Sequence, residues 1–173
     1  MNGPADVWNM AAQKWSDTIA QVGDDDWGKS TPCGQWTVQE LVDHAMHWQG
    51  MGGSVLGAGT APGQDWAEVQ PALSAALADP ANLEGTVEAF GNMPKQGIAG
   101  LIIADLLVHS WDLARSIGAD ETLPPEAVVS THMGLRRLPT EMLRSENMFG
   151  PEVEVADDAS DQDKLIAFVG RQP

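Results

Sequence analysis

Residues 98–118, IAGLIIADLLVHSWDLARSIG, decide the fold. Positions 98, 102, 105, 109, 112 and 116 fall on one side of a 3.6-residue repeat, so the stretch reads as one long helix. That side begins apolar with Ile98 and Ile102, then places Asp105, His109 and Asp112 where a plain core would have Leu or Val. Leu101, Leu106, Trp111 and Leu113 flank it and are apolar enough to bury most of the helix. Buried ionisable groups cost several kcal/mol unless they are paired or hold a metal. Asp105 and His109 stand at i and i+4, so their side chains can reach a common point, and a carboxylate with an imidazole is half of a divalent-metal site. The same spacing also suits a hydrogen-bonded buried pair.

The missing half is sought upstream. Thr37-Val38-Gln39-Glu40 is a capping box that starts a second helix. Val38, Leu41, Ala45, Trp48 and Val55 form its inward stripe. His44 lies about 60° from Leu41 around the helix axis and His47 about 120°. His44 is therefore the histidine expected to turn inward, and His47 belongs on the outer flank. The set proposed for the metal is His44, Asp105 and His109. Two imidazoles and one carboxylate leave coordination positions open and suit zinc first, with nickel, iron or manganese as alternatives.

Other candidates carry less. Asp112 either accepts a proton from a ligand histidine or pairs with Arg115 at the surface. His132 has no carboxylate at ligand spacing on its own segment. Cys33 sits in the loop Thr31-Pro32-Cys33-Gly34-Gln35-Trp36, where Lys29 is the nearby base, and reads as a small buried residue rather than a nucleophile. The glycines of 50–59 follow a helix rather than a strand, which excludes a phosphate loop.

The remaining periodicity predicts helices over 5–22, 65–77 with Asp65 as N-cap, 124–144 with a kink at Pro139, and 160–169. The second helix is expected to fray in 50–59, 83–90 and 152–155 to be extended, Gly91-Asn92 to turn, and Gly118 to cap the central helix. The expected architecture is all-α: one domain over 1–173, a four-helix bundle with a short additional helix and extended segments.

The 173 residues carry a net charge of −16, with 43% hydrophobic residues. That acidity disfavours nucleic acid and anionic membranes, and it serves solubility. No apolar run approaches the roughly 18–20 residues of a membrane span, and MNGPADVWNM lacks the charged and apolar regions of a secretory leader. A single cysteine excludes an internal disulfide framework. The expected location is the cytoplasm, as monomer or homodimer.

Three blocks resemble a known family. Thr31-Pro32-Cys33-Gly34-Gln35-Trp36-Thr37-Val38 followed by Glu40-Leu41-Val42-Asp43-His44, the helix Asp105 to Ala114, and the tail from Phe149 through Arg171 are similar to one branch of the DinB-like metal-binding bundles. That branch is related to the N-terminal domain of mycothiol-dependent maleylpyruvate isomerase. The resemblance implies a four-helix bundle with a divalent metal at its centre, held by two histidines and a carboxylate one turn before the second. The isomerase has glutamate at that carboxylate and this chain has Asp105, one methylene shorter. The resemblance does not reach the isomerase's C-terminal domain, so isomerisation of maleylpyruvate is not carried over. It implies a metal-dependent transferase or isomerase using a low-molecular-weight thiol such as mycothiol. The alternatives are a non-catalytic metal- or small-ligand-binding bundle, and a bundle whose polar triad only specifies packing.

Overall fold

The computed structural model describes residues 3–145 and 148–173; Met1 and Asn2, the start of the stretch read for a leader, lie outside them. In chain order the helices are α1 Pro4–Ile19, α2 Val38–Val55, α3 Trp66–Ala78, α4 Lys95–Ile117, α5 Pro125–Leu135, α6 Thr140–Leu143 and α7 Asp161–Phe168. Two-residue strands β1 Thr86–Val87 and β2 Met93–Pro94 pair antiparallel. The fold is an all-α bundle. Helix α4 forms its axis and packs against α1, α2 and α5; α3 lies over α1 and α2, and α7 over α5.

Burial explains why α4 is central. Every residue from Leu101 to Ala114 is buried, including Asp105, His109 and Asp112. Helix α4 is long and apolar enough by composition to span a bilayer, contrary to the expectation of no such run, but most of that window is buried inside the bundle. It is a core helix. Gly118, at φ +74°, ends it, and the Ala119 amide closes back on the Ala114 carbonyl.

Helix α2 corrects the expectation of fraying. It continues through the glycines to Val55, because they are contact points. A Cβ at Gly52 would stand 2.1 Å from Ile102 Cδ1, one at Gly50 2.0 Å from the Ala61 carbonyl oxygen, and one at Gly53 2.3 Å from Thr60 Oγ1. The glycines let α2 approach α4 and let the following loop fold back over it. Their cost in helix propensity, about 1 kcal/mol each against Ala, is offset by this packing.

Three other expectations shift. Helix α1 stops at Ile19, and Val22 lies in the turn beyond it. The segment after Pro124 is two helices rather than one kinked helix, since Pro139 starts α6 instead of bending α5. Within 83–90 only Thr86 and Val87 are extended, as β1, with 3₁₀ turns at Leu83 and at Glu88–Phe90, and Gly91 and Asn92 make the predicted turn, both at positive φ. The stretch 152–155 is outside regular structure, tied by the Val153 amide to the Ala167 carbonyl.

Candidate metal centre

The capping box fixes where His44 begins. Glu40 N–H donates to Thr37 Oγ1, and Thr37 N–H donates to Glu40 Oε2 at 2.8 Å. Two turns on, His44 leans from α2 toward α4 and its Nε2 lies 3.1 Å from Asp105 Oδ1. His109 Nε2, one turn along α4, is 3.3 Å from the same oxygen. The predicted trio therefore comes together: its three ligand atoms lie within 4.8 Å of one another. His47 is exposed and takes no part. His132 is also elsewhere, accepting from Arg136 Nε and packing near Phe168.

Asp105 is anchored from behind by a residue that sequence reasoning passed over. Trp8 Nε1 donates to Gln49 Oε1 at 3.1 Å, so the Gln49 amide must turn its nitrogen the other way. That nitrogen donates to the Ile102 carbonyl at 2.9 Å and approaches Asp105 Oδ2 at 3.4 Å. Gln49 is completely buried, a cost relieved only because both ends of its amide are satisfied. Its place three positions before Gly52 on the inward side of α2 was the available signal.

On the other ring nitrogen, His109 Nδ1 donates to Asp112 Oδ2 at 2.9 Å. Asp112 is wholly buried and does not pair with Arg115, whose guanidinium holds Glu121 instead. Its cation is Arg171, 59 residues away: Nε donates to Oδ1 at 3.3 Å and Nη2 to Oδ2 at 2.9 Å. Arg171 Nη2 also approaches Cys33 Sγ at 3.4 Å. Cys33, His109 and Asp112 form a second group with metal-ligand spacing, but the guanidinium is already its cation.

The electrostatics follow from this wiring. Burial pushes Asp105 toward the neutral acid, but His109 and His44 outweigh it and hold its carboxyl below the usual range. Burial likewise opposes charge on Asp112, and His109 and Arg171 reverse it. His109, against its own burial, is raised to about 9 by Asp105 and then Asp112. Without metal it is an imidazolium between two carboxylates. Cys33 goes up to about 11, mainly through burial and only partly countered by Arg171, so its thiol is a poor nucleophile at neutral pH.

The trio floors a cavity of about 90 Å³. Trp36, Trp48, Leu101, Met148 and Phe149 wall it, with Cys33 and Arg171 at one side. Trp36 is carried by a tight loop closed by the Thr31 amide on the Trp36 carbonyl, and its ring sits 4.6 Å from the His44 ring.

The family model for the mycothiol maleylpyruvate isomerase N-terminal domain matches residues 8–90. Uncharacterized proteins from two strains of Mycobacterium tuberculosis are 30% identical over 94% of this chain and 96% of their own length. The chain belongs to the mycothiol maleylpyruvate isomerase N-terminal domain family. The family match takes in α2 with His44 and ends before α4, whereas the alignment with the mycobacterial proteins spans nearly the whole chain. No solved structure matches significantly.

Proposed function

We propose that residues 1–173 act as one divalent-metal-binding domain in which His44 Nε2, Asp105 and His109 Nε2 hold the ion, zinc first among the candidates. The supporting observation is the spacing around Asp105 Oδ1, 3.1 Å to His44 Nε2 and 3.3 Å to His109 Nε2. Donors bound tetrahedrally at zinc distances of about 2.0–2.1 Å stand roughly 3.3 Å apart. Three protein ligands with the cavity on the remaining side also match the open arrangement of a catalytic rather than a structural site.

The activity proposed is a thiol-dependent transfer or isomerisation, with mycothiol as the thiol that the family description names. A bound divalent ion would lower the pKa of a thiol or water and so supply a nucleophile near neutral pH. Asp112 keeps hydrogen on His109 Nδ1 and leaves Nε2 for the ion. Trp36, Trp48 and Phe149 restrict water in the cavity, and Cys33 is a wall residue. Its unpaired thiol is in keeping with a cytoplasmic location. A second reading, non-catalytic binding of metal or a small ligand, is favoured by the narrowness of the cavity.

Elemental mass spectrometry on untagged wild type beside His109→Ala tests the reading. Near-stoichiometric metal in the wild type and loss of it in the variant are expected; a wild type without metal after incubation with zinc, nickel and manganese overturns it. Incubating the zinc form with low-mass thiols and electrophiles then separates the two readings: turnover favours transfer, and thiol binding without turnover, or no binding, favours the non-catalytic bundle.

A further inference from the structure

We propose that Arg171 is a positioning residue for His109, acting through Asp112, and that the contact between Gly150 and Gly170 is what delivers it. This inference rests on the metal reading above.

The delivery is built into the end of α7. The Gly170 amide donates to the Ala167 carbonyl and the Arg171 amide to the Ile166 carbonyl, both at 3.0 Å, with Gly170 at φ +84°. Those two bonds and that left-handed residue are a Schellman motif whose last residue is Arg171. A Cβ at Gly170 would lie 2.8 Å from Gly150 C and Cα. Arg144 fastens the same junction, its Nη1 donating to the Gly150 carbonyl and its Nη2 to that of Phe168. The backbone direction at Arg171 is thus fixed before its side chain enters the core.

The guanidinium then does more than anchor a tail. It spans both oxygens of Asp112, in the paired fork geometry that suits a carboxylate. A carboxylate so held accepts hydrogen bonds and carries no proton, so the hydrogen on the Asp112–His109 bond must sit on Nδ1. Nε2 is then left facing Asp105 and His44. Arg171 also stands where a cation would have to enter the Cys33, His109 and Asp112 group, which leaves the His44 side as the place for one. An apolar side chain at 171 could dock the tail but would leave Asp112 buried with one partner, free to rotate or protonate.

The test measures zinc affinity by competition with a chromophoric chelator for wild type, Arg171→Gln, Asp112→Asn and the double variant. Proton–nitrogen NMR of the zinc-loaded proteins reads the His109 Nδ1–H. Arg171→Gln is expected to weaken zinc about 10–100-fold and to broaden or lose the Nδ1–H resonance. In the Asp112→Asn background the same change should cost less than about threefold, because residues acting in series are not additive. Should Arg171→Gln not fold, Arg171→Lys carries the comparison, keeping one charge but unable to span both oxygens. Zinc affinity within twofold and an intact Nδ1–H resonance, alongside a lowered melting temperature, overturn the inference and make Arg171 a structural tie. A wild type that takes up no zinc overturns the metal reading and this inference together.

Discussion

On the Nδ1 side of His109, Asp112 is already neutralised by a guanidinium and sealed from water. On the Nε2 side, Asp105 has His44, His109 itself and the Gln49 amide, and it borders the cavity. The two carboxylates are seven residues apart on one helix and both are held ionised. They differ in the cation the protein supplies: a permanent guanidinium from Arg171 at Asp112, and the titratable His109 imidazolium at Asp105. On the proposed metal reading, a divalent ion would replace that imidazolium proton on the cavity side, while the guanidinium already occupies the other.

The comparison breaks most sharply at Asp112. Asp112→Ala leaves Arg171 buried without its partner and should cost about 3–5 kcal/mol of stability, read from urea unfolding of metal-free protein. Asp105→Ala should cost less than half of that, because the cavity lets water reach the vacated position. Equal costs would show that the two sides are energetically alike. Gly170→Ala attacks the delivery of Arg171: the left-handed φ and the contact with Gly150 together predict about 2 kcal/mol of destabilisation, checked by the same unfolding curves.

His44→Ala sharpens it from the open side. His44 is half-buried, with 32% of its side chain exposed, so stability should move by less than about 1 kcal/mol while zinc uptake falls at least 100-fold in a chelator competition.

Acidity distinguishes the states as well. His109 is raised from 6.5 to about 9, so its contribution to metal-free stability is complete below about pH 6.5 and disappears as pH rises through 9. The lowered Asp105 and Asp112 act oppositely: their contribution is present above the ordinary carboxylate pKa and is lost as pH falls through their depressed values. Zinc affinity should instead climb with pH up to about 9, since the ion displaces the His109 proton. Parallel pH profiles for stability and zinc affinity would refute this exchange. The smallest effect is at Cys33: alkylation by iodoacetamide at pH 8 should be slow beside a free thiol, as expected of a group raised to about 11.

Periodicity and capping carried much of the fold. The stripe of α4, the Thr37–Glu40 box and the Gly118 cap were legible because each is settled within one or two turns. What misled was glycine in α2. Propensity weighs Gly50, Gly52 and Gly53 against a helix, whereas the approach of Ile102, Ala61 and Thr60 is a tertiary fact with no local trace. The candidate site divides the same way. Asp105 and His109 announce themselves by helical spacing, and His44 by its angle to Leu41. Whether Asp112 faced inward or toward Arg115 was undecidable along the helix, because its partner lies 59 residues on. Arg171 was visible only as a lone charge in the apolar ending Phe168-Val169-Gly170, a residue whose burial needed a buried anion to explain it.

Trp36 gives the cavity an optical consequence. Its indole lies 4.6 Å from the His44 ring and 6.2 Å from the His109 ring. An indole beside an imidazolium loses emission, so an ion that displaced the His109 proton would change the Trp36 signal. Seven tryptophans share the signal, but the difference between wild type and Trp36→Phe isolates this one. The molecule therefore carries a native fluorophore beside its own candidate centre, and ion uptake can be timed in a stopped-flow mixer without attaching any label.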